Sequence, residues 1–93
     1  MTRRLLLVLV PALLLALGGP ARAAVDANTA TEAELDSVRG IGPVTSRAIL
    51  AERRKGAYAS WDDLLARVRG LGPERAQALS EAGLRVGGQS YRR

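Results

Sequence analysis

Apolar residues are distributed in two different ways along this chain. From Leu5 to Leu17 they form an unbroken run, preceded by Arg3 and Arg4 and followed by Gly18, Gly19, Pro20 and the small-x-small triplet Ala21-Arg22-Ala23. A transmembrane helix needs roughly 20 apolar residues. This run stops at 13, with Pro11 inside it. A basic start, a short apolar stretch, helix breakers and a cleavage site together predict a secretory signal over residues 1–23, cut after Ala23. The chain is therefore expected to be exported and periplasmic; the alternative is an uncleaved N-terminus that anchors it in the cytoplasmic membrane.

Beyond residue 23, apolar positions recur among polar ones. Leu35 and Val38 share one face of a short helix, for which Thr31 is the N-cap and Glu34, three residues on, the reciprocal partner. Gly40 stops that helix. Ser60 takes the same capping role before Trp61, with Asp62 and Asp63 in the first turn, where negative charge suits the helix dipole. The chain also repeats itself. Leu35-Asp36-Ser37-Val38-Arg39-Gly40-Ile41-Gly42-Pro43 returns thirty positions later as Leu65-Ala66-Arg67-Val68-Arg69-Gly70-Leu71-Gly72-Pro73. Ala48 matches Ala78 and Ile49 is answered by Leu79, so the likeness runs on past the turn. Two copies of one supersecondary unit follow: helix, tight glycine turn (40–43 and 70–73), helix.

The turns carry the candidate chemistry. Glycine at both outer positions permits positive φ and lets another backbone or a ligand approach, while Ile41 or Leu71 plugs into the core. Pro43 and Pro73 suit the first helical position, whose N–H would be unpaired anyway. Each turn then ends at a helix N-terminus with free, accessible N–H groups, which is an anion site suited to a phosphate oxygen. Taken singly, a C-terminal glycine and a helix-starting proline are ordinary connection chemistry. Two copies with the same plug, the same preceding arginine and the same exit proline turn the reading towards a binding face.

Composition narrows the function classes. In 93 residues there is no Cys and no His, which excludes disulfides, Cys/His metal sites and every nucleophile or base built on those side chains. Asp62 and Asp63 diverge by about 100° around a helix, so they are capping groups and not a catalytic dyad. No enzyme activity, cofactor, metal or small-molecule substrate is expected. Formal charge is +5, but removal of residues 1–23 takes Arg3, Arg4 and Arg22 away and leaves eleven basic against nine acidic side chains, or +2. The placement of charge, more than its total, must then carry anion binding. Trp61 and Tyr58 are expected as packing, Arg53-Arg54-Lys55 as helix-end cations, and residues 87–93 as a flexible basic tail.

These turns resemble the helix-hairpin-helix family, whose hairpins hold nucleic-acid backbone without reading bases. The paired arrangement, introduced by Val25-Asp26-Ala27-Asn28-Thr29-Ala30 and linked by Gly56-Ala57-Tyr58-Ala59-Ser60-Trp61-Asp62-Asp63-Leu64, is similar to the ComEA group of exported DNA-binding proteins. The resemblance covers roughly residues 25–86. Repetition itself gives the architecture, an all-α tandem domain over residues 24–86: neither helix pair can bury its apolar face alone, so the two should pack about an approximate two-fold axis with both hairpins facing one way and Leu35, Val38, Ile41, Ile49, Leu64, Leu65, Val68, Leu71 and Leu79 inside. The resemblance adds a function. It implies double-stranded DNA as partner, gripped by its phosphate backbone, in natural transformation, with envelope DNA-uptake machinery as a further partner. The contacts would be backbone amides of Gly40, Ile41, Gly42, Gly70, Leu71 and Gly72 with side chains of Thr45, Ser46, Arg47 and Arg75; Arg39 and Arg69 would reinforce them. Family members often carry lysine just after the hairpin proline, where this chain has Val44 and Thr45, then Glu74 before Arg75. The competing reading is an envelope protein-interaction or dimerisation module with little DNA affinity.

Overall fold

The computed structural model describes residues 24–92. The expected signal over residues 1–23 lies outside them, as does Arg93. Four helices and one pair of very short strands make the fold: β1 (Val25–Asp26), α1 (Glu32–Asp36), α2 (Pro43–Arg53), α3 (Trp61–Arg67), α4 (Pro73–Glu81) and β2 (Leu84–Arg85).

The first helix of each unit forms because a neighbouring side chain supplies what a helix start lacks. At α1, Thr31 Oγ1 accepts from the Glu34 amide at 3.1 Å while Glu34 Oε1 accepts from the Thr31 amide at 2.8 Å. Those bonds hold the Glu34 carboxyl below the ordinary glutamate value. At α3, Ser60 Oγ accepts from the Asp63 amide at 3.1 Å, and Asp63 Oδ2 reaches one residue further back, to the Ala59 amide at 2.9 Å. That backbone bond, with Arg67 beside it, lowers the Asp63 carboxyl. Both helices are too short to persist alone, so tertiary packing must supply most of their stability.

α1 packs on α2 and α3 on α4, and all four helices share one core. Leu35, Val38, Ile41, Ile49, Leu64, Val68, Leu71 and Leu79 are buried as the repeat predicts, each contributing about 1.5–3 kcal/mol relative to exposure. Leu65 departs from that pattern: it is half-buried at the core's edge, one step around α3 from the fully buried Leu64. Tyr58 and Trp61 are buried packing residues, as expected. Tyr58 also fastens the linker, donating its hydroxyl to the Ile49 carbonyl at 2.6 Å, while its own amide and carbonyl pair with the Asn28 side chain.

Two features go beyond an all-helical reading. β1 and β2 pair in parallel, Val25 with Leu84 and Asp26 with Arg85, joining the two ends of the domain. The segment from Gly87, expected as a flexible tail, is docked through Tyr91. Gly87 and Gly88 adopt φ of +57° and +80° in a turn closed by the Val86–Gln89 pairing. Asp26 accepts from both glycine amides, at 3.2 and 2.7 Å. Trp61 donates its indole N–H to the Gln89 carbonyl at 2.7 Å, and the Tyr91 ring meets it edge-on at 5.4 Å. The physical reason is size: a domain this small gains a substantial fraction of its core by drawing in one more aromatic ring.

Asp26 also accepts from the Asn28 amide, so its carboxylate holds three amides. Asp26→Ala is expected to destabilise the domain by about 1–3 kcal/mol in urea unfolding, with a red shift of Trp61 emission as the 86–91 segment loosens.

Candidate functional site

Each turn reverses the chain on its first glycine. Gly40 and Gly70 have φ of +98° and +88°, a region that side chains rarely enter. A Cβ on Gly40 would stand 3.1 Å from Leu79 Cδ2. Gly42 and Gly72 differ. Their φ values of −98° and −94° with ψ near 180° are extended backbone open to any residue, and a Cβ on either would meet nothing within 4 Å. Positive φ, expected as available at both outer positions, is thus used only at the first. The fold demands Gly40, whereas the second glycine of each turn leaves open approach to the helix that follows.

Of the expected amide donors, those of Gly40, Gly42, Gly70 and Gly72 have no acceptor among the described residues, whereas those of Ile41 and Leu71 do. The amides of Ile41 and Leu71 turn inward, to the carbonyls of Val38 at 3.0 Å and Val68 at 3.4 Å, because the plugging side chains are buried. They are not outward donors. Pro43 and Pro73 open α2 and α4 and have no N–H, and the Ser46 and Ala76 amides bond back to Gly42 and Gly72. That leaves the amides of Val44 and Thr45, and of Glu74 and Arg75, without an intrahelical acceptor. Neither helix start has a side-chain cap. The positive end of each helix dipole therefore meets solvent beside an exposed proline.

Arg75 joins the two turns. Its Nη2 donates to the Gly40 carbonyl at 3.1 Å and to Thr45 Oγ1 at 3.2 Å, and its Nη1 to the Gly70 carbonyl at 3.3 Å. One guanidinium spans both turns, so they lie side by side with Gly40 and Gly70 exposed. Thr45 and Arg75 occupy equivalent positions in the thirty-residue repeat, and here they touch. A shallow groove of about 680 Å³ runs along Gly72, Pro73, Glu74 and Arg75.

The remaining expected contacts divide. Ser46 is fully buried and its hydroxyl donates to the Pro43 carbonyl at 3.1 Å, which removes it from the surface. Arg47 is exposed, 3.7 Å from Glu32 in a solvated pair that contributes little to stability. Arg39 and Arg69 are exposed at the approaches to the turns, Arg39 lining a cleft with Ala78, Glu81 and Ala82. Two residues gain importance from the structure. Val44 is 81% exposed and Glu74 is exposed, each the second residue of its helix beside the free amides. Their identity signalled a departure from lysine in the sequence, but not that both project from this face.

Among the described residues no group of acidic side chains could hold a metal ion, and no helix is long and apolar enough to cross a membrane. The profile of the helix-hairpin-helix motif matches residues 21–82, about two-thirds of the chain. No curated protein and no solved structure matches it.

The two glycine positions of a turn should separate cleanly. Gly40→Ala is expected to lose about 1–3 kcal/mol through its positive φ and the contact with Leu79, whereas Gly42→Ala should melt within a degree or two of the parent. Thermal and urea unfolding of both variants checks this.

Proposed function

Because the chain belongs to the helix-hairpin-helix family, we propose that it binds nucleic acid, and specifically duplex DNA, by gripping phosphates with its two turns. The observation that carries this reading is the bridge made by Arg75, which sets two uncapped helix N-termini next to each other on one exposed face. The amides of Val44 and Thr45 form one donor set and those of Glu74 and Arg75 the other. In this reading the two units form a tandem domain about an approximate two-fold axis, and each turn holds one strand across the minor groove. Phosphate contacts position the protein and carry no base information, so binding is independent of sequence. In this reading the protein captures DNA reversibly and biases its diffusion.

We place this activity outside the cytoplasm. Residues 1–23 have the pattern of an export signal, and the ordering of signal and paired hairpins is similar to the ComEA group. The corresponding role is that of a periplasmic DNA receptor in uptake during natural transformation, with the envelope uptake machinery as neighbour.

Electrostatics make the reading measurable. If about four phosphates are neutralised, log affinity should fall against log salt with a slope of roughly −3 to −4. Unrelated duplexes of one length should bind within about twofold of each other. Gel-shift titrations at several salt concentrations check both, and a slope near zero, with self-association in sedimentation, would instead indicate a protein-interaction module.

The turns give a second measurement. Gly72→Leu places a side chain in the approach path and should weaken binding about tenfold or more with melting unchanged. That loss corresponds to a few charge-assisted hydrogen bonds. Glu74→Lys removes the exposed carboxylate beside the same amides, and should tighten binding and steepen the salt slope by about 0.9 per added phosphate contact. Fluorescence anisotropy with a labelled duplex reads both changes.

A further inference from the structure

α4 reaches into the first turn at two points of one stripe. Arg75 and Leu79 are four residues apart and so project from the same helix face. Arg75 holds the Gly40 carbonyl, and Leu79 Cδ2 lies 3.1 Å from where a Cβ on Gly40 would stand, a tight approach. The first turn is thus seated on the second unit's helix. The reverse contact is not equivalent: Thr45, which takes Arg75's place in the first copy, is too short to bridge and acts as an acceptor. A guanidinium is suited to this because its rigid planar fork can donate to two carbonyls in fixed directions, as a single ammonium cannot.

We infer that Arg75 is the spacer of the clamp: by holding the Gly40 and Gly70 carbonyls on one fork it sets the distance between the turns, and with it the preference for two phosphate lines at duplex spacing over one flexible strand. The inference rests on the phosphate-gripping reading above, and assigns Arg75 a positioning role where sequence pointed only to a phosphate contact. Two anion sites at a fixed separation gain from a ligand whose charges are already held at that separation, because no ordering cost remains. A single strand can bend to either site alone and gains little from the spacing. Selectivity for duplex therefore belongs to the bridge, while charge belongs to the exposed arginines.

The test uses the purified protein, a duplex and a single strand of equal length, and the variants Arg75→Lys, Arg75→Gln and Arg47→Gln. Arg75→Lys keeps the charge, so its salt slope should match the parent, but duplex affinity should fall about tenfold with single-strand affinity nearly unchanged. Arg75→Gln should lose duplex selectivity to the same extent. Arg47→Gln should weaken both ligands in proportion and leave their ratio intact. In the DNA-free protein, Arg75→Lys should shift the amide resonances of Gly40 and Gly42, more than thirty residues away in sequence. An unchanged duplex-to-single-strand ratio in Arg75→Lys, or unmoved first-turn resonances, would overturn the spacer role. If the parent binds neither nucleic acid, the proposed function and the selectivity fall together, while the resonance shift still reports separately whether Arg75 couples the turns.

Discussion

The burial of Ile41 and Leu71 governs what both turns can present. Each side chain anchors its loop in the core and draws its own amide inward, to Val38 or Val68. With the centre of the loop held from below, Pro43 and Pro73 are left exposed and the helix beyond each begins in solvent. The positive φ of Gly40 and Gly70 is the conformational condition for that arrangement, since it lets the chain leave one helix and enter the next within a few residues. A loop without the plug would have to be ordered on binding, at about 1–2 kcal/mol per residue. The anchored loop has been ordered by folding.

Basic side chains serve the architecture as much as the surface. Arg53 donates to the carbonyls of Ala27 and Ala30, Arg85 to those of Ser80 and Leu84, and Arg75 to those of Gly40 and Gly70. Arg67 reaches the Glu52, Gly56 and Ala57 carbonyls, pairs with Asp63, and stacks 4.4 Å above the Tyr58 ring. Short helices leave many loop carbonyls without backbone partners, and guanidinium forks satisfy them at several points at once. Such bonds fix where the charge sits without cancelling it. Glu52 shows the other limit: bonded to Lys55 and flanked by Arg67, its carboxyl is held below the ordinary value and neutralises part of the local field. The cations that remain exposed near the turns are chiefly Arg39, Arg47 and Arg69.

Closing the two ends of the domain serves the same rigidity. β1 lies beside β2, Asp26 caps the turn at Gly87 and Gly88, and Trp61 at the start of α3 meets the Tyr91 ring edge-on. Four helices of five to eleven residues have little apolar area to share. The terminal segments add Ala27, Leu84, Val86 and Tyr91 to the core and so hold the scaffold on which the turns depend.

Much of the local structure was legible in the sequence, although the inward bonds of the Ile41 and Leu71 amides and the turn at Val86–Gln89 were not. The caps at Thr31 and Ser60, the turns at Gly40 and Gly70, the proline helix starts and the buried face from Leu35 to Leu79 follow from interactions among residues a few positions apart, and the thirty-residue repeat exposed their pairing. Glu74 was also visible there as an acid where a cation would be favourable. What the sequence could not show were contacts between distant positions. Arg75 reads as a surface arginine until the fold brings Gly40 to it from thirty-five residues away, and Gly87-Gly88 reads as a linker until Asp26 arrives from sixty-one away. Leu65 sits at the boundary of a buried face, where a small rotation of the helix decides exposure and periodicity cannot, while Ser46, a polar residue in sequence, is fully enclosed by the fold. Local spacing determined which turns this chain makes; only the packing of one helix against the other unit decided how they stand relative to each other, because that separation is set by side chains the sequence keeps far apart.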